Sequence, residues 1–154
     1  MYSDPDWGSD KDTRRSTSCV RIMMAGGSVN WISEIQPIVT VSSMEAEYLA
    51  CFFAIQDVVW IRQLLKDIDL ERSRLTKVYI DNQSAKQLAM NPGHHQRSKH
   101  IDIKYHRIRD KVAAQEIELV QVPTTEQRAD FLTKPLPADV FWRHAVAIMH
   151  AIYN

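Results

Sequence analysis

The chain has 154 residues, of which 45% are hydrophobic and 25% are charged, a composition typical of one globular domain. Its 19 basic residues balance 19 acidic ones, so net charge indicates no partner, and a nucleic-acid binder would need its cations gathered locally. The two cysteines fit no metal spacing, no apolar run suits a membrane span, and the N-terminus does not resemble a signal peptide. We therefore expect an intracellular protein that is not secreted and keeps its thiols reduced.

The first part of the chain is predicted to form antiparallel strands. MYSD reads as the end of a strand whose beginning looks cut short, and CVRIMM and VNWI are predicted to pair as a hairpin around AGGS. PIVTV is also predicted as a strand. Its proline, Pro37, lies at the strand entry, where proline is tolerated.

A long helix is predicted for SSMEAEYLACFFAIQDVVWIRQLLKDI. Ser42 and Glu45 have the S-x-x-E spacing of a capping box, and the segment is apolar nearly all round, as buried helices are. We expect Trp60, and Trp31 in the hairpin, to pack in the core rather than to stack on bases.

The second half of the chain is predicted to alternate strands and helices. KVYI and IELVQV read as strands, and KHIDIKYHRIRDKVAAQ is the clearest amphipathic helix. Further helices are predicted for NQSAKQLAM, TEQRADFLTKPL and ADVFWRHAVAIMHAI, the second interrupted by Pro135 and Pro137. The order predicts an α/β fold with a mixed five-stranded sheet, three antiparallel strands and then two parallel ones, flanked by helices.

Four carboxylates fall at the ends of predicted elements. Asp4 ends the first strand, Asp81 ends the fourth, Glu47 starts the inward face of the long helix, and Asp130 lies in the first turns of the helix after the last strand. Converging carboxylates repel one another, and a hard cation such as Mg²⁺ relieves the repulsion. Taken alone, Asp130 and Asp81 are explained by helix capping and Glu47 by a favourable interaction with the helix dipole, while Asp4 alone indicates nothing, so spacing leaves the metal interpretation open.

Several motifs together resemble one family. YSDPDWGSDKDTRRSTS, QPIVTVSSMEAEYLA, VYIDNQSAKQLAMNP, RSKHIDIKYHRIRDKV and VPTTEQRADFLTKPLP are similar, in the same order, to blocks of the ribonuclease H domain of copia-type retrotransposon Pol polyproteins. The resemblance runs from Tyr2 to about Pro137. It implies a ribonuclease H-like domain over residues 1–137 with an apparently truncated first strand, and it leaves residues 138–154 as a C-terminal helix.

The resemblance also implies an activity. Members cleave the RNA strand of RNA–DNA hybrids during reverse transcription, with two Mg²⁺ or Mn²⁺ ions held by an acidic set that matches Asp4, Glu47, Asp81 and Asp130 here. The implied partners are the hybrid and the reverse transcriptase domain of the same polyprotein, in the cytoplasm, a virus-like particle or the nucleus. Two alternatives stay open: an inactive or domesticated copy kept for binding, and a nuclease of the same fold that acts on DNA.

The chain departs from the family pattern at several positions. Pro5 stands where a small residue is usual, and Cys19 and Val20 replace a glycine and an aromatic residue. Arg21 lies within the same strand, and the loop VPTTEQ carries no histidine, unlike the loop of cellular ribonucleases H.

Two further groups of residues are candidates for nucleic-acid contacts. Asn82, Gln83 and Ser84 follow Asp81 and would suit the 2′-hydroxyl that distinguishes RNA from DNA, although helix capping explains them equally well. His100, Lys104, Arg107 and Lys111 fall on one face of the amphipathic helix. This basic stripe would follow a phosphate backbone, or it is simply a solvated face.

Overall fold

The structure is a computed structural model that describes residues 1–70, 75–83 and 99–153, with side chains for all of these but 99–102, 105 and 147–153. Five strands form one sheet: β1 (Tyr2–Asp6), β2 (Thr17–Met24), β3 (Gly27–Ile35), β4 (Thr76–Ile80) and β5 (Ile117–Gln121). Their order is β3-β2-β1-β4-β5, so β1 is central. The first three strands pair antiparallel, and β4 pairs parallel with both β1 and β5, which confirms the predicted mixed five-stranded sheet.

The predicted hairpin is confirmed and is longer than expected. Ala25 and Gly26 connect β2 to β3 with φ angles of 49° and 88°. Two consecutive positive φ values are what a tight turn needs to follow the right-handed twist of the strands, and glycine adopts such values without steric cost.

Helices cover the sheet. They are α1 (Ser43–Asp67), α2 (Lys99–Ala113) and α3 (Ala138–Tyr153). α1 contacts β1, β2 and β4, and α2 packs against α1 and β5. Buried apolar side chains between α1 and the sheet, including Val20, Ile55, Val58, Val78 and Ile80, form the core.

α1 alone, among the described residues, is long and apolar enough to cross a membrane by length and composition. No such segment was expected from the sequence. However, the side of α1 that starts at Glu47 is buried against the sheet, as in the core helix of a globular domain. The predicted burial of α1 holds for this side only, and the predicted core position of Trp60 is wrong, because Trp60 is 61% exposed and Leu64 is 43% exposed.

The PIVTV segment is not a strand, contrary to the prediction. Residues 36–42 form a loop in which Val39 and Val41 are exposed. Pro37 has no backbone N–H to give to a ladder, and the carbonyl of Thr40 accepts a hydrogen bond from Trp7 Nε1 at 3.3 Å. Side-chain contacts therefore take the place of strand pairing here.

Three other predictions need correction. β1 continues past Asp4, because Pro5 and Asp6 still pair with Ser18 and Thr17 of β2. TEQRADFLTKPL forms no long helix but two short 3₁₀ turns, Thr124–Glu126 and Asp130–Leu132. Trp31 is 58% exposed rather than buried. The predicted helix NQSAKQLAM lies largely outside the described residues.

Candidate metal centre

The sheet brings Asp4 and Asp81 together. β1 and β4 run parallel with Tyr2 opposite Tyr79, and the two rings stack with centroids 4.7 Å apart. Two residues further along each chain stand Asp4 and Asp81, and residues two apart along a strand share a face. The central position of β1 thus places two carboxylates side by side at one end of the sheet.

The start of α1 adds the third carboxylate. Ser42 caps the helix by accepting a hydrogen bond from the Glu45 backbone N–H at 3.2 Å, and the Glu45 carboxylate accepts one from the N–H of Val41 at 2.7 Å. These contacts hold the first turn, from which Glu47 points inward and is only 7% exposed. Its Oε2 atom is buried without a hydrogen-bond partner.

Asp4, Glu47 and Asp81 converge, with one carboxylate oxygen from each lying within 4.8 Å of the others. Burial, reinforced by the charges of Asp81 and Asp4, raises the pKa of Glu47 to about 10. Burial also raises the pKa of Asp4 to about 7, although Lys134 and the Thr133 hydroxyl oppose the shift. Both shifts show that the site disfavours several negative charges unless a cation is present.

Asp130 approaches this cluster from the 3₁₀ turn after β5. The N-cap of this turn is Ala129 and Asp130 is the first residue inside it, so Asp130 is not the capping residue. Its Oδ1 atom accepts a hydrogen bond from Lys134 Nζ at 2.6 Å, and the same Nζ lies 3.8 Å from Asp4 Oδ2. Asp130 is therefore linked to Asp4 through a lysine rather than grouped directly with the other three acids.

Thr133 and Lys134 were not among the site residues predicted from the sequence. The Thr133 hydroxyl lies 2.8 Å from Asp4 Oδ2 and 2.9 Å from the Asp130 carbonyl oxygen, and its single proton serves one acceptor at a time. Burial alone would lower the pKa of Lys134, but its hydrogen bond to Asp130 and the charges of Asp4 and Asp130 raise it. The only signal in the sequence was the position of Thr133 and Lys134 directly after the Asp130–Leu132 turn.

A buried arginine supports the turn that carries Asp130. Arg21 of β2 is fully buried and donates from Nη1 to the carbonyl of Arg128 at 3.3 Å, while its guanidinium lies 5.6 Å from the Phe131 ring centroid. Arg21 Nε also donates to Ser28 Oγ at 2.8 Å. Arg21, where the chain departs from the family pattern, therefore contacts the chain before Asp130 through Arg128 and after it through Phe131.

The residues predicted to contact nucleic acid are scattered. Asn82 is partly buried and Gln83 is exposed beside Asp81, whereas Ser84 lies outside the described residues. Asp81 itself accepts a hydrogen bond from Thr124 Oγ1 at 3.1 Å. The Asn82–Gln83 contact with a 2′-hydroxyl therefore stays a prediction.

The basic stripe on α2 is only partly free for such a contact. Lys104 Nζ lies 5.7 Å from the Phe52 ring centroid, and Lys111 Nζ pairs with Glu116 at 2.8 Å. Arg107 is exposed, while the side chain of His100 lies outside the described part of the chain.

The acidic cluster fits a divalent cation. Its donors are carboxylate oxygens, which Mg²⁺ and Mn²⁺ prefer, and Glu47 Oε2 is a buried oxygen with an unused lone pair. Asp4, Glu47 and Asp81 would hold such an ion, because their oxygens lie close enough to share one.

The chain is similar to parts of much longer proteins. Over 140 residues, 91% of the chain, it is 36% identical to the retrovirus-related Pol polyprotein from transposon TNT 1-94 of Nicotiana tabacum. Over 147 residues, 96% of the chain, it is 39% identical to the corresponding polyprotein from transposon RE1 of Arabidopsis thaliana. The chain spans 10% of the length of each. No protein-family model matches it.

Solved structures share the fold. LC11-RNase H1, isolated from compost by a metagenomic approach, superposes with a TM-score of 0.62 at 19% identity, covering 98% of this chain and 95% of that chain. The same protein in complex with an RNA/DNA hybrid gives a TM-score of 0.59, covering 98% and 96% of the two chains. At this identity the likeness establishes the fold, so the ribonuclease H fold implied by the sequence motifs is confirmed. The chain is therefore homologous to one segment of the retrovirus-related Pol polyproteins of plant transposons, and it has the ribonuclease H fold.

Proposed function

We propose that the chain is a metal-dependent endonuclease that cleaves the RNA strand of RNA–DNA hybrids, as part of a copia-type retrotransposon Pol polyprotein during reverse transcription. The convergence of Asp4, Glu47 and Asp81 at the end of the central strands carries the proposal. The ribonuclease H fold and the homology to Pol polyproteins support it.

The residues of the cluster would divide the work. Asp4, Glu47 and Asp81 would hold one Mg²⁺ or Mn²⁺ ion, and Asp4 and Asp130 would be the ligands for a second. Such ions would supply the activation of water and the stabilisation of the leaving oxygen of a phosphodiester. Thr133 would orient Asp4, and in the metal-free chain Lys134 links Asp130 to Asp4.

Selectivity for RNA requires a contact with the 2′-hydroxyl. Gln83 is the exposed polar side chain nearest in sequence to Asp81, and Asn82 lies between them. We assign these two residues to that contact, with Arg107 on α2 as a phosphate contact farther along the hybrid.

The test is cleavage of a labelled hybrid and of duplex DNA, each with and without Mg²⁺. We expect cleavage of the RNA strand only with Mg²⁺, and its loss by a factor of about 100 or more in Asp81→Asn. Asp110→Asn, an exposed aspartate on α2, is the matched control and should cleave normally. Circular dichroism checks that both variants fold.

Other outcomes would point elsewhere. Cleavage retained in Asp81→Asn would remove the cluster from the reaction, and cleavage of duplex DNA would indicate a DNA nuclease of the same fold. Hybrid binding without cleavage would indicate the inactive or domesticated copy.

The proposal extends to where the protein works. Cys19 and Cys51 are both buried free thiols, as expected in a reducing compartment. We place the protein inside the cell, in the cytoplasm, a virus-like particle or the nucleus, with the reverse transcriptase domain of the same polyprotein as its partner. Co-purification of that domain with the intact polyprotein's particles would test this placement.

A further inference from the structure

One positive side chain already lies against the acidic cluster. Lys134 Nζ stands 2.6 Å from Asp130 Oδ1 and 3.8 Å from Asp4 Oδ2. It therefore bridges a carboxylate of the central strand and a carboxylate of the 3₁₀ turn. A positive charge between two acids offsets their mutual repulsion without any metal.

Lys134 divides the cluster into two unequal halves. In the first half, the oxygens of Asp4, Glu47 and Asp81 lie within 4.8 Å of one another and Glu47 Oε2 has no hydrogen-bond partner. In the second half, between Asp4 and Asp130, the ammonium of Lys134 already contacts both acids. An incoming cation meets mainly negative charge in the first half and a like charge in the second.

We propose that Lys134 is a built-in counter-ion that a divalent cation must displace from the Asp4–Asp130 half of the cluster. The inference rests on the proposed function, since it takes the cluster to be a cation site. It predicts that cations bind in two unequal steps, first at Asp4, Glu47 and Asp81, and then more weakly where Lys134 is released.

The side chain can leave without disturbing the fold. Lys134 is 38% exposed, and its flexible stem lets the ammonium turn toward solvent while the backbone stays in place. The contacts of Thr133 with Asp4 and with the Asp130 carbonyl do not involve Lys134, so they do not depend on its position. The released ammonium stays at the rim of the site, where it can pair with a phosphate of a bound strand.

A plainer explanation is that Lys134 merely fastens the 3₁₀ turn through an ordinary i,i+4 ion pair with Asp130. Removing its charge would then cost some stability and leave cation affinity unchanged or weaker. The two explanations therefore predict opposite changes in cation binding.

The experiment measures Mn²⁺ binding to the metal-free chain without nucleic acid, by titration calorimetry and by electron paramagnetic resonance of free Mn²⁺. Lys134→Gln keeps a hydrogen-bond donor of similar length and removes the charge. Lys111→Gln is the matched control, because Lys111 forms an ion pair with Glu116 at 2.8 Å, close to the 2.6 Å of the Lys134–Asp130 pair, in another part of the fold. We expect the weaker step to tighten by about tenfold in Lys134→Gln and to be unchanged in Lys111→Gln.

A second measurement follows Lys134 in the wild-type chain and uses a substitution only to assign its resonance. Lysines of the wild-type chain are reductively methylated with ¹³C, and their resonances are followed during a Mg²⁺ titration, with Lys134 identified from the Lys134→Arg spectrum. The Lys134 resonance should shift during the second binding step while that of Lys111 stays fixed. Equal or weaker Mn²⁺ affinity in Lys134→Gln, or an unmoved Lys134 resonance while cations bind, would overturn the inference.

This result is separable from the proposed function. A chain that binds Mn²⁺ in the expected pattern yet leaves the hybrid intact would contradict the nuclease and keep the role of Lys134. A chain that cleaves the hybrid and binds Mn²⁺ equally well with and without Lys134 would support the nuclease and contradict the role of Lys134.

Discussion

Glu47 is a glutamate in the buried face of an apolar helix. Ala46, Ala50 and Cys51 are buried around it, and one of its carboxylate oxygens has no hydrogen-bond partner. Burying a charge in this way costs free energy unless the group is paired or binds a metal. A bound cation at Glu47 would offset this free-energy cost and would explain why a glutamate is buried there.

The same residue should make the metal-free protein sensitive to pH. The unfolded chain releases the Glu47 proton near the ordinary glutamate pKa of 4.5, whereas in the folded chain burial raises the pKa to about 10. Between these values the folded state binds more protons, so the free energy of unfolding falls as pH rises. We expect a loss on the order of 2 kcal/mol between about pH 5 and about pH 8 in chelator, measured by urea denaturation.

Glu47→Gln should make that pH dependence shallower, because the amide is neutral at every pH in the range, whereas Asp4, whose pKa burial raises to about 7, still contributes its share. Mg²⁺ should restore wild-type stability at the higher pH and have little effect on the variant. Glu118→Gln, an exposed glutamate on β5, is the control and should follow the wild type. An equally steep pH dependence in Glu47→Gln would show that other groups cause it.

At the scale of elements, the first turn of α1 determines where Glu47 lies. Ser42→Ala removes the side-chain oxygen that accepts from the Glu45 N–H, and we expect a loss of about 1 kcal/mol in the free energy of unfolding. Mn²⁺ affinity should also fall, because the fraying turn carries a ligand. Ser43→Ala changes the neighbouring serine and should alter neither quantity, as denaturation and titration of both variants would reveal.

The sequence predicted the elements whose local signals agree with the fold. α1 has its capping box, α2 has a clear apolar stripe, and the β2–β3 hairpin has a glycine turn. Prediction failed where long-range contacts decide: Trp7 holds the loop that replaced the PIVTV strand, and Trp31 is exposed on an edge strand.

The same distinction between local sequence signals and long-range contacts applies to the candidate site. Element ends suggested four carboxylates, but spacing could not separate ligands from helix caps, and the resemblance chose among them. Lys134 was missed because a lysine four residues after an aspartate in a predicted helix resembles a common surface pair. Only the fold, by placing β1 beside the 3₁₀ turn, brings that lysine to Asp4.

At the scale of the whole molecule, the balance of 19 basic and 19 acidic residues gives no long-range attraction for a polyanion. The proposed binding of a hybrid would therefore depend on a few local cations. On α2, Lys104 lies over aromatic rings and Lys111 is paired with Glu116, so Arg107 is the exposed member of the basic stripe that the structure describes with its side chain.

This charge distribution leads to a specific salt dependence. Each phosphate contact contributes about one unit to the slope of log affinity against log salt, so Arg107→Ala should reduce the slope for hybrid binding by about 1. Lys111→Ala should have less effect, because its ammonium is already paired. Fluorescence anisotropy with Ca²⁺ in place of Mg²⁺ would measure binding without turnover. Lys66→Ala is the control, since this exposed lysine lies about 28 Å along α1 from Glu47. If Arg107→Ala left the slope unchanged, the α2 stripe would be a solvated face and the hybrid would contact the protein elsewhere.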